Sequence, residues 1–183
     1  MNEKNFLEEL KNHWIKNDIP NISFTNAKFL RDLIKIKKVK NMLEIGTANW
    51  FSTINFALEL KALWYWKITT IEFSPNSHWE ALNNFKNAWV DDIINPLLWN
   101  ALDIIPKLKE KYDFVFIDGM KKRSKDFLEL VWNKTRKWWI IIIDDVIKFK
   151  HKMLSLYYYI EENKIEHNVI PIDEDDGIMM IIR

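Results

Sequence analysis

Short apolar runs rich in β-branched residues alternate along the chain with segments in which apolar residues recur at the period of a helix. The runs predict seven strands, at residues 41–46, 67–73, 92–98, 113–119, 139–145, 167–172 and 177–183. The segments between them predict helices at residues 24–37, 51–63, 76–88, 101–111, 122–135 and 151–163. The first five strands are continuously apolar, which is typical of a parallel sheet covered by helices on both faces.

The last two strands are joined by a short acidic turn, Asp-Glu-Asp-Asp at 173–176, followed by Gly177. This connection is too short for the crossover that parallel strands need, so we expect an antiparallel hairpin. Residues 1–183 are therefore predicted to form one α/β domain. Its sheet is Rossmann-like and doubly wound, with seven strands that are mostly parallel and a C-terminal antiparallel hairpin. In such sheets, ligands bind beyond the carboxyl ends of the strands.

The composition excludes several classes of protein. No apolar run approaches the ~20 residues that a membrane span needs. Cysteine is absent, so neither a disulfide framework nor a thiolate metal site is possible. The formal net charge of +1 is too balanced to predict a polyanionic partner. Residues 1–14 have the pattern of a charged amphipathic helix and not that of a signal peptide, so we expect a soluble, cytoplasmic protein without a membrane partner.

The ends of strands 1 and 2 carry the pattern of a nucleoside site. Strand 1 ends in Gly46 and a turn of small residues that leads into a helix, where backbone N–H groups can face a ligand. Strand 2 ends in Glu72, about 26 residues after Gly46, where an acid commonly holds a ribose diol. These features predict a nucleoside cofactor. The alternative is that Glu72 only caps a helix beside an ordinary turn.

Three carboxylates follow strands 4 and 5: Asp118, Asp144 and Asp145. Such hard oxygen ligands suit Mg²⁺, which takes few protein carboxylates and keeps several waters. A single Asp at such a place is more often a helix cap. Three at one edge of a sheet repel one another and need a counter-charge, which favours a metal site.

Four motifs in the chain resemble those of a known family. They are LEIGTAN-x-FST at 43–53, TTIE at 69–72, NALDIIPKLKEKYDFVFIDGMKKR at 100–123 and IIIIDDV at 140–146. Together they are similar to the small class I S-adenosylmethionine (SAM)-dependent O-methyltransferases of the cation-dependent catechol and caffeoyl-CoA type. Bacterial relatives of that type include tRNA hydroxyuridine methyltransferases. The resemblance runs from about residue 20 to the C-terminus, and its most specific part is the D-x-x-K of strand 4 together with the paired acid of strand 5.

The resemblance implies a set of residues around the cofactor: Glu44, Gly46, Ser52, Glu72, Asn100, Ala101 and Asp118. In the family pattern, Glu44 and Gly46 shape the turn under the methionine moiety of SAM. Ser52 contacts the carboxylate of the cofactor, Glu72 holds the ribose hydroxyls, and residues 100–101 lie against the adenine.

The resemblance also implies a divalent cation, Mg²⁺ or another, on Asp118, Asp144 and Asp145, with Lys121 as the general base. The family usually has Asn where this chain has Asp145. Metal binding lowers the pKa of a bound hydroxyl, and the like charge of a metal lowers the pKa of a nearby lysine. Lys121 could then accept the proton near neutral pH. The alternative is a solvated lysine in the first turn of a helix.

Glycine and tryptophan occur in unusual numbers. The chain has 3 glycines, where average usage would give about 13, and it has 10 tryptophans. Trp50, Trp89, Trp99 and the pair at 138–139 fall where the family has glycine, which is used where φ is positive or a ligand approaches the backbone. We therefore expect that most tryptophans represent UGA codons that the organism reads as glycine. Ordinary core packing is the alternative for Trp14, Trp64 and Trp132.

Two basic clusters, residues 121–125 and 148–152, follow strands 4 and 5. They would suit a phosphate-bearing acceptor such as RNA or a coenzyme A ester, unless they are merely solvated or face the acidic turn. The expected acceptor is a hydroxyl of a small aromatic molecule or of a tRNA nucleoside, and a homodimer is left open. Two other functions compete. A NAD-dependent oxidoreductase is disfavoured because the turn after strand 1 lacks the three-glycine spacing, and a non-catalytic binding module would follow if Trp50 is genuine.

Overall fold

The structure, a computed structural model, describes residues 22–48, 50–63 and 67–183. Its helices are α1 (Phe24–Lys37), α2 (Phe51–Ala62), α3 (Pro75–Asn87), α4 (Ala101–Ile104), α5 (Ser124–Trp132) and α6 (Leu154–Glu162). Its strands are β1 (Asn41–Ile45), β2 (Lys67–Glu72), β3 (Ile94–Leu98), β4 (Tyr112–Ile117), β5 (Thr135–Ile143), β6 (His167–Ile170) and β7 (Ile178–Ile182). The helical pattern at 1–14 lies outside the described residues.

The strands form one sheet in the order β3-β2-β1-β4-β5-β7-β6. Strands β1 to β5 pair in parallel, whereas β7 pairs antiparallel with both β5 and β6. The predicted fold class and the predicted hairpin are therefore confirmed. The strand order reverses beside β1, so the carboxyl ends of β1, β2 and β4 meet at the switch point where such sheets bind ligands.

Both faces of the sheet are covered, as the continuously apolar strands predicted. In β4, Phe114 and Phe116 point to one face, where they join the core formed with α1 and α2. Val115 and Ile117 point to the other face and pack with α5 and α6. All four side chains are buried, so each apolar position of this strand contributes to one core or the other.

Local sequence explains where several elements begin and end. Helix α1 begins after Ser23, whose Oγ accepts a hydrogen bond from the backbone N–H of Asn26 at 2.9 Å. Helix α3 begins with Ser74 as its cap and Pro75 in its first turn. Pro96 is accommodated in β3 because this strand lies at an edge of the sheet.

Most predicted elements differ from the structure by a few residues at their ends, and a 3₁₀ turn explains two of these differences. The helix predicted at 101–111 ends at Ile104 and continues as a 3₁₀ turn, Ile105–Lys107. Pro106 in that turn has no N–H to donate, so the α-helical hydrogen bonds cannot continue through it. The strand predicted from residue 92 begins at Ile94, because residues 91–93 form a 3₁₀ turn.

None of the described helices is both long enough and apolar enough to cross a membrane.

Candidate functional site

A cleft of about 460 Å³ opens at the switch point of the sheet. Five of the residues singled out in the sequence line it: Gly46, Glu72, Asn100, Ala101 and Asp118. The sequence reasoning missed the apolar side chains that form much of its wall, including Ile71, Phe73, Leu102, Met120 and Phe127. Those positions carry no signal in the sequence, because apolar residues at strand ends are equally expected in a core. The cleft is therefore apolar with a few polar groups, which is the usual character of a site for a small organic ligand.

Gly46 brings the ends of β1 and β4 together. It has φ = 97°, and a Cβ atom there would lie 2.5 Å from the carbonyl oxygen of Asp118. The backbone N–H of Gly46 donates to Ile71 O at 2.9 Å, and the N–H of Asp118 donates to Ile45 O at 2.9 Å. Only glycine fits this close approach, which sets the position of Asp118 at the border of the cleft.

Glu72 is held firmly at the end of β2. Its carboxylate accepts hydrogen bonds from the backbone N–H groups of Ala48 and Ser74, both at 2.7 Å. The bond to Ser74 supports the cap of α3, so the capping alternative is part of its role. A carboxylate has about four acceptor positions, which leaves further lone pairs for hydroxyl groups in the cleft.

Glu44 and Ser52 lie beneath the turn and are not among the described residues that line the cleft. Ser52 Oγ donates to Glu44 at 2.6 Å and Thr70 Oγ1 donates at 2.7 Å, while Thr53 adds a third hydroxyl. Burial raises the pKa of Glu44 to about 7, although the three hydroxyls favour its charged form. The Ser52 hydroxyl is thus engaged with Glu44 and does not project into the cleft.

Asn100 and Ala101, which the family resemblance places against an adenine, both line the cleft. Asn100 caps α4, because its Oδ1 accepts from the N–H of Leu102 at 3.1 Å. The preceding residue, Trp99, also lines the cleft, with 64% of its side chain exposed.

A second cavity of about 500 Å³ adjoins the first at Ala48 and Asp118, which line both. Its other lining residues are Ile22, Ser23, Asn26, Lys121, Asp144, Asp145, Lys148, Phe149, Asp173 and Asp176. The three predicted carboxylates therefore meet at one edge of the sheet, as expected. Asn26 of α1 and Asp176 of the hairpin were missed, because they come from elements far away in sequence.

Lys121 lies between two of these carboxylates. Its Nζ is 2.5 Å from Asp118 Oδ1 and 2.5 Å from Asp145 Oδ2. Asp144 is buried and accepts a hydrogen bond from Asn26 Nδ2 at 3.0 Å. Within the described part of the chain, no three carboxylate or imidazole side chains are grouped so as to hold a metal ion. The predicted metal ligands Asp118, Asp144 and Asp145 are gathered here, but an ammonium group occupies the space between two of them.

Burial dominates the electrostatics of this cavity. It raises the pKa of Asp118, raises that of Asp144 further with the help of its acidic neighbours, and raises that of Asp145 to about 6. Burial also disfavours the charged form of Lys121, but the carboxylates of Asp118 and Asp145 outweigh it and raise the pKa of this lysine above its usual value. The sequence interpretation expected a lowered pKa for Lys121 only beside a bound divalent cation. As it stands, the lysine is a cation that holds two acids together.

Four of the seven lysine and arginine residues in the basic clusters pair with nearby acids. The pairs are Lys121 with Asp118 and Asp145, Arg123 with Asp126, Lys125 with Glu129, and Lys148 with Asp175 of the acidic turn. The acidic turn thus lies on the same edge of the sheet as the clusters. This was the expected alternative to a surface that binds polyanions. This arrangement weakens the case for a nucleic-acid acceptor.

The tryptophans divide by backbone conformation. Trp50, Trp89 and Trp138 have positive φ, as expected at positions that favour glycine. Trp99 and Trp139 do not, so the positive-φ reason for glycine does not apply to these two, while Trp99 still lines the cleft where a ligand would approach the backbone. Trp132 is half-buried and packs against the core, whereas Trp14 and Trp64 lie outside the described residues.

Comparison with known proteins gives a consistent result. A family model described as O-methyltransferase matches residues 1–183. The chain is 29% identical over 131 residues to a catechol O-methyltransferase of Niastella koreensis, and 30% identical over 128 residues to one of Mycobacterium tuberculosis. Each alignment covers 69% of this chain, which spans only 58% and 57% of those two proteins.

Solved structures show the same likeness. An O-methyltransferase from Bacillus cereus in complex with SAH has a TM-score of 0.85 and 25% identity, over 98% of this chain and 91% of that one. An O-methyltransferase from Streptomyces achromogenes in complex with SAM has a TM-score of 0.81 and 19% identity, over 97% and 89% of the two chains. The second comparison concerns the fold alone.

Proposed function

Because the chain belongs to the O-methyltransferase family, we propose that it transfers the methyl group of SAM to a hydroxyl oxygen of a small aromatic acceptor. The observation that carries this proposal is the pair of adjoining cavities at the switch point of the sheet. One is mainly apolar and has Glu72 in its wall, and the other is polar and is lined by several aspartates. They share Asp118, so a cofactor in the first and an acceptor in the second would meet beside this residue.

In the first cavity, Glu72 would accept hydrogen bonds from the two ribose hydroxyls, since it is already oriented by two backbone donors. The adenine would lie between apolar side chains near Asn100 and Ala101. Gly46 would let the chain pass close to the methionine end, with Glu44 and Ser52 supporting that turn from below. These roles use the residues as they are placed, and they require no rearrangement of the sheet.

In the second cavity, the acceptor oxygen would attack the methyl carbon while the carbon–sulfur bond breaks and its electrons remain on sulfur. The hydroxyl proton must leave the acceptor, and Asp145 and Lys121 are the groups beside that position. Lys121 is charged between its two acids, so it can act as the general base only after it gives up a proton. A divalent cation, when bound, supplies the positive charge that lowers the pKa of a bound hydroxyl and of a neighbouring lysine.

The donors of this cavity fit such a cation in kind. Asp118, Asp144 and Asp145 are hard oxygen ligands, and the Lys121 ammonium already pairs with two of them, Asp118 and Asp145. We propose that the metal site forms when Lys121 moves aside. Catechol-type acceptors are favoured over tRNA because the relatives include catechol O-methyltransferases and because acids pair with four of the seven lysine and arginine residues in the basic clusters.

Calorimetric titration tests the cofactor assignment. We expect SAM to bind, and Glu72→Ala to weaken binding by about 1.5–3 kcal/mol, or roughly 10- to 150-fold, because charge-assisted hydrogen bonds to the ribose are lost. Glu80→Gln, an exposed acid on α3, is the control and should leave binding unchanged. The titration is made on the chain with tryptophan at position 50 and on its Trp50→Gly variant. Binding of NAD but not SAM by both forms would contradict the proposal.

Titration with Mg²⁺ or Mn²⁺ tests the metal assignment without relying on activity. Asp144→Asn should abolish binding, whereas Lys121→Met should tighten it, because the competing ammonium is gone. Asp91→Asn, an exposed acid far from the cavity, is the control. Equal binding by Asp144→Asn and the parent chain would show that the cation is held elsewhere.

A further inference from the structure

The backbone conformation of three tryptophans is unusual for a residue with a large side chain. Of the seven tryptophans that the structure describes, Trp50, Trp89 and Trp138 have φ values of 89°, 58° and 67°. Only a few per cent of non-glycine residues adopt positive φ. The only other described non-glycine residues with positive φ are Lys38, Ala48, Asp145 and Lys164. Tryptophan is therefore strongly concentrated in the region that favours glycine.

Trp89 occupies the glycine position of a helix terminus. Helix α3 is capped by Ala88, and the N–H of Trp89 donates to Lys86 O at 3.0 Å. The N–H of Val90 donates to Phe85 O at 3.1 Å, which completes a Schellman motif in which glycine is the usual residue with left-handed conformation. The indole of Trp89 is 80% exposed, so little packing compensates for its conformation.

Trp138 occupies a bulge in β5. The pairing with β4 passes from Tyr112–Thr135 to Phe114–Ile140, so β5 contains three more residues than β4 over this stretch. Trp138 has its positive φ within the extra segment, and its side chain is 77% exposed. Glycine suits such an irregular segment, because its backbone reaches positive φ without a clash from Cβ.

Trp50 stands directly before α2, at the turn that follows β1. Its φ of 89° and ψ of −10° lie beyond the ordinary left-handed helical region, and its side chain makes no capping hydrogen bond. The indole is 1% exposed, and its Nε1 has no hydrogen-bond partner among the described residues. A buried N–H without an acceptor opposes folding, so two independent features disfavour tryptophan here.

We infer that residues 50, 89 and 138 are glycine in the protein as its own cell makes it, and that their codons are UGA read as glycine. The composition supports this, since the shortage of glycine is close to the number of tryptophans. Trp99 and Trp139 have no positive φ, so the backbone supplies no reason to include them. The inference concerns residue identity and does not depend on the proposed methyl transfer, so the two can fail separately.

The direct test is peptide mass spectrometry of the protein isolated from its own organism, together with the codons of the gene. The expected result is UGA at the three positions and peptides that carry glycine there. Tryptophan in the peptides at any of the three positions overturns the inference for that position.

A recombinant test uses the exposed positions 89 and 138, where removing the indole costs little packing. Gly and Ala variants are compared, because both remove the ring but only alanine keeps a Cβ. Trp89→Gly should melt about 2–4 °C above Trp89→Ala, and the same order should hold at 138.

Trp79 is the matched control, since it is 61% exposed and lies inside α3 with ordinary helical backbone. There the order should reverse, with Trp79→Ala melting above Trp79→Gly. Alanine variants as stable as the glycine variants at both 89 and 138 would overturn the inference, because the backbone would then show no preference for glycine.

Discussion

Glu44 makes this protein less stable as pH rises. An acid whose pKa is lowered by folding has the opposite effect. The carboxyl is fully buried, and burial raises its pKa from an ordinary 4.5 to about 7 in the folded chain. The folded state therefore holds the proton more tightly than the unfolded state does. Replacement by glutamine removes the ionisation while keeping the shape of the side chain.

The sign and the size follow from this difference. Below about pH 4.5 Glu44 is protonated in both the folded and the unfolded state, so its ionisation does not reduce the unfolding free energy. As pH rises through 7, the unfolded state is already ionised and the folded state must ionise a buried group, so the unfolding free energy falls. The pKa difference corresponds to about 3 kcal/mol of unfolding free energy, lost between about pH 4.5 and 7.

Urea unfolding at several pH values between 5 and 8, followed by circular dichroism, measures this effect. The parent chain should lose stability as pH rises across this range, and Glu44→Gln should lose distinctly less. The comparison isolates Glu44, because the raised pKa values of Asp118, Asp144 and Asp145 contribute to both proteins. Glu80→Gln should keep the slope of the parent. Equal slopes for the parent and Glu44→Gln would refute the reasoning.

Two further predictions concern the stability of the fold. Gly46→Ala should destabilise the fold by about 1–3 kcal/mol, because the new Cβ would meet the Asp118 carbonyl and φ is positive; unchanged urea unfolding would contradict this. Asp113→Asn should cost about 1.5–3 kcal/mol, since the buried carboxylate accepts from the N–H groups of Lys40 and Asn41 and pairs with Arg136. A loss of less than about 1 kcal/mol of unfolding free energy, as for an exposed ion pair, would contradict this prediction.

The sequence was sufficient for the architecture because its strongest signals are local. Continuous apolar strands such as Phe114–Ile117 can only be buried on both faces, and four acidic residues between two strands can only turn a hairpin. The exceptions have local causes as well. The helix predicted at 101–111 stops because Pro106 cannot donate a hydrogen bond.

The sequence predicted only those site residues that lie at the ends of strands. Glu72 and the three aspartates follow strands whose order fixes their neighbourhood. The position of Lys121 between Asp118 and Asp145 depends on how two loops converge, and no spacing encodes that. Asn26 reaches the cavity from a helix more than a hundred residues away from Asp144, so its part in the site was visible only in three dimensions.

The most direct test of the account is transfer of a labelled methyl group from SAM to catechol, measured with Mg²⁺ and with EDTA. It is made on the printed chain and on the chain with glycine at 50, 89 and 138. We expect the glycine form to produce a labelled methyl ether with Mg²⁺, and we expect no product in EDTA or from the Asp118→Asn variant. A glycine form that binds SAM yet transfers no methyl group to catechol, to other small hydroxyl acceptors or to tRNA would contradict it.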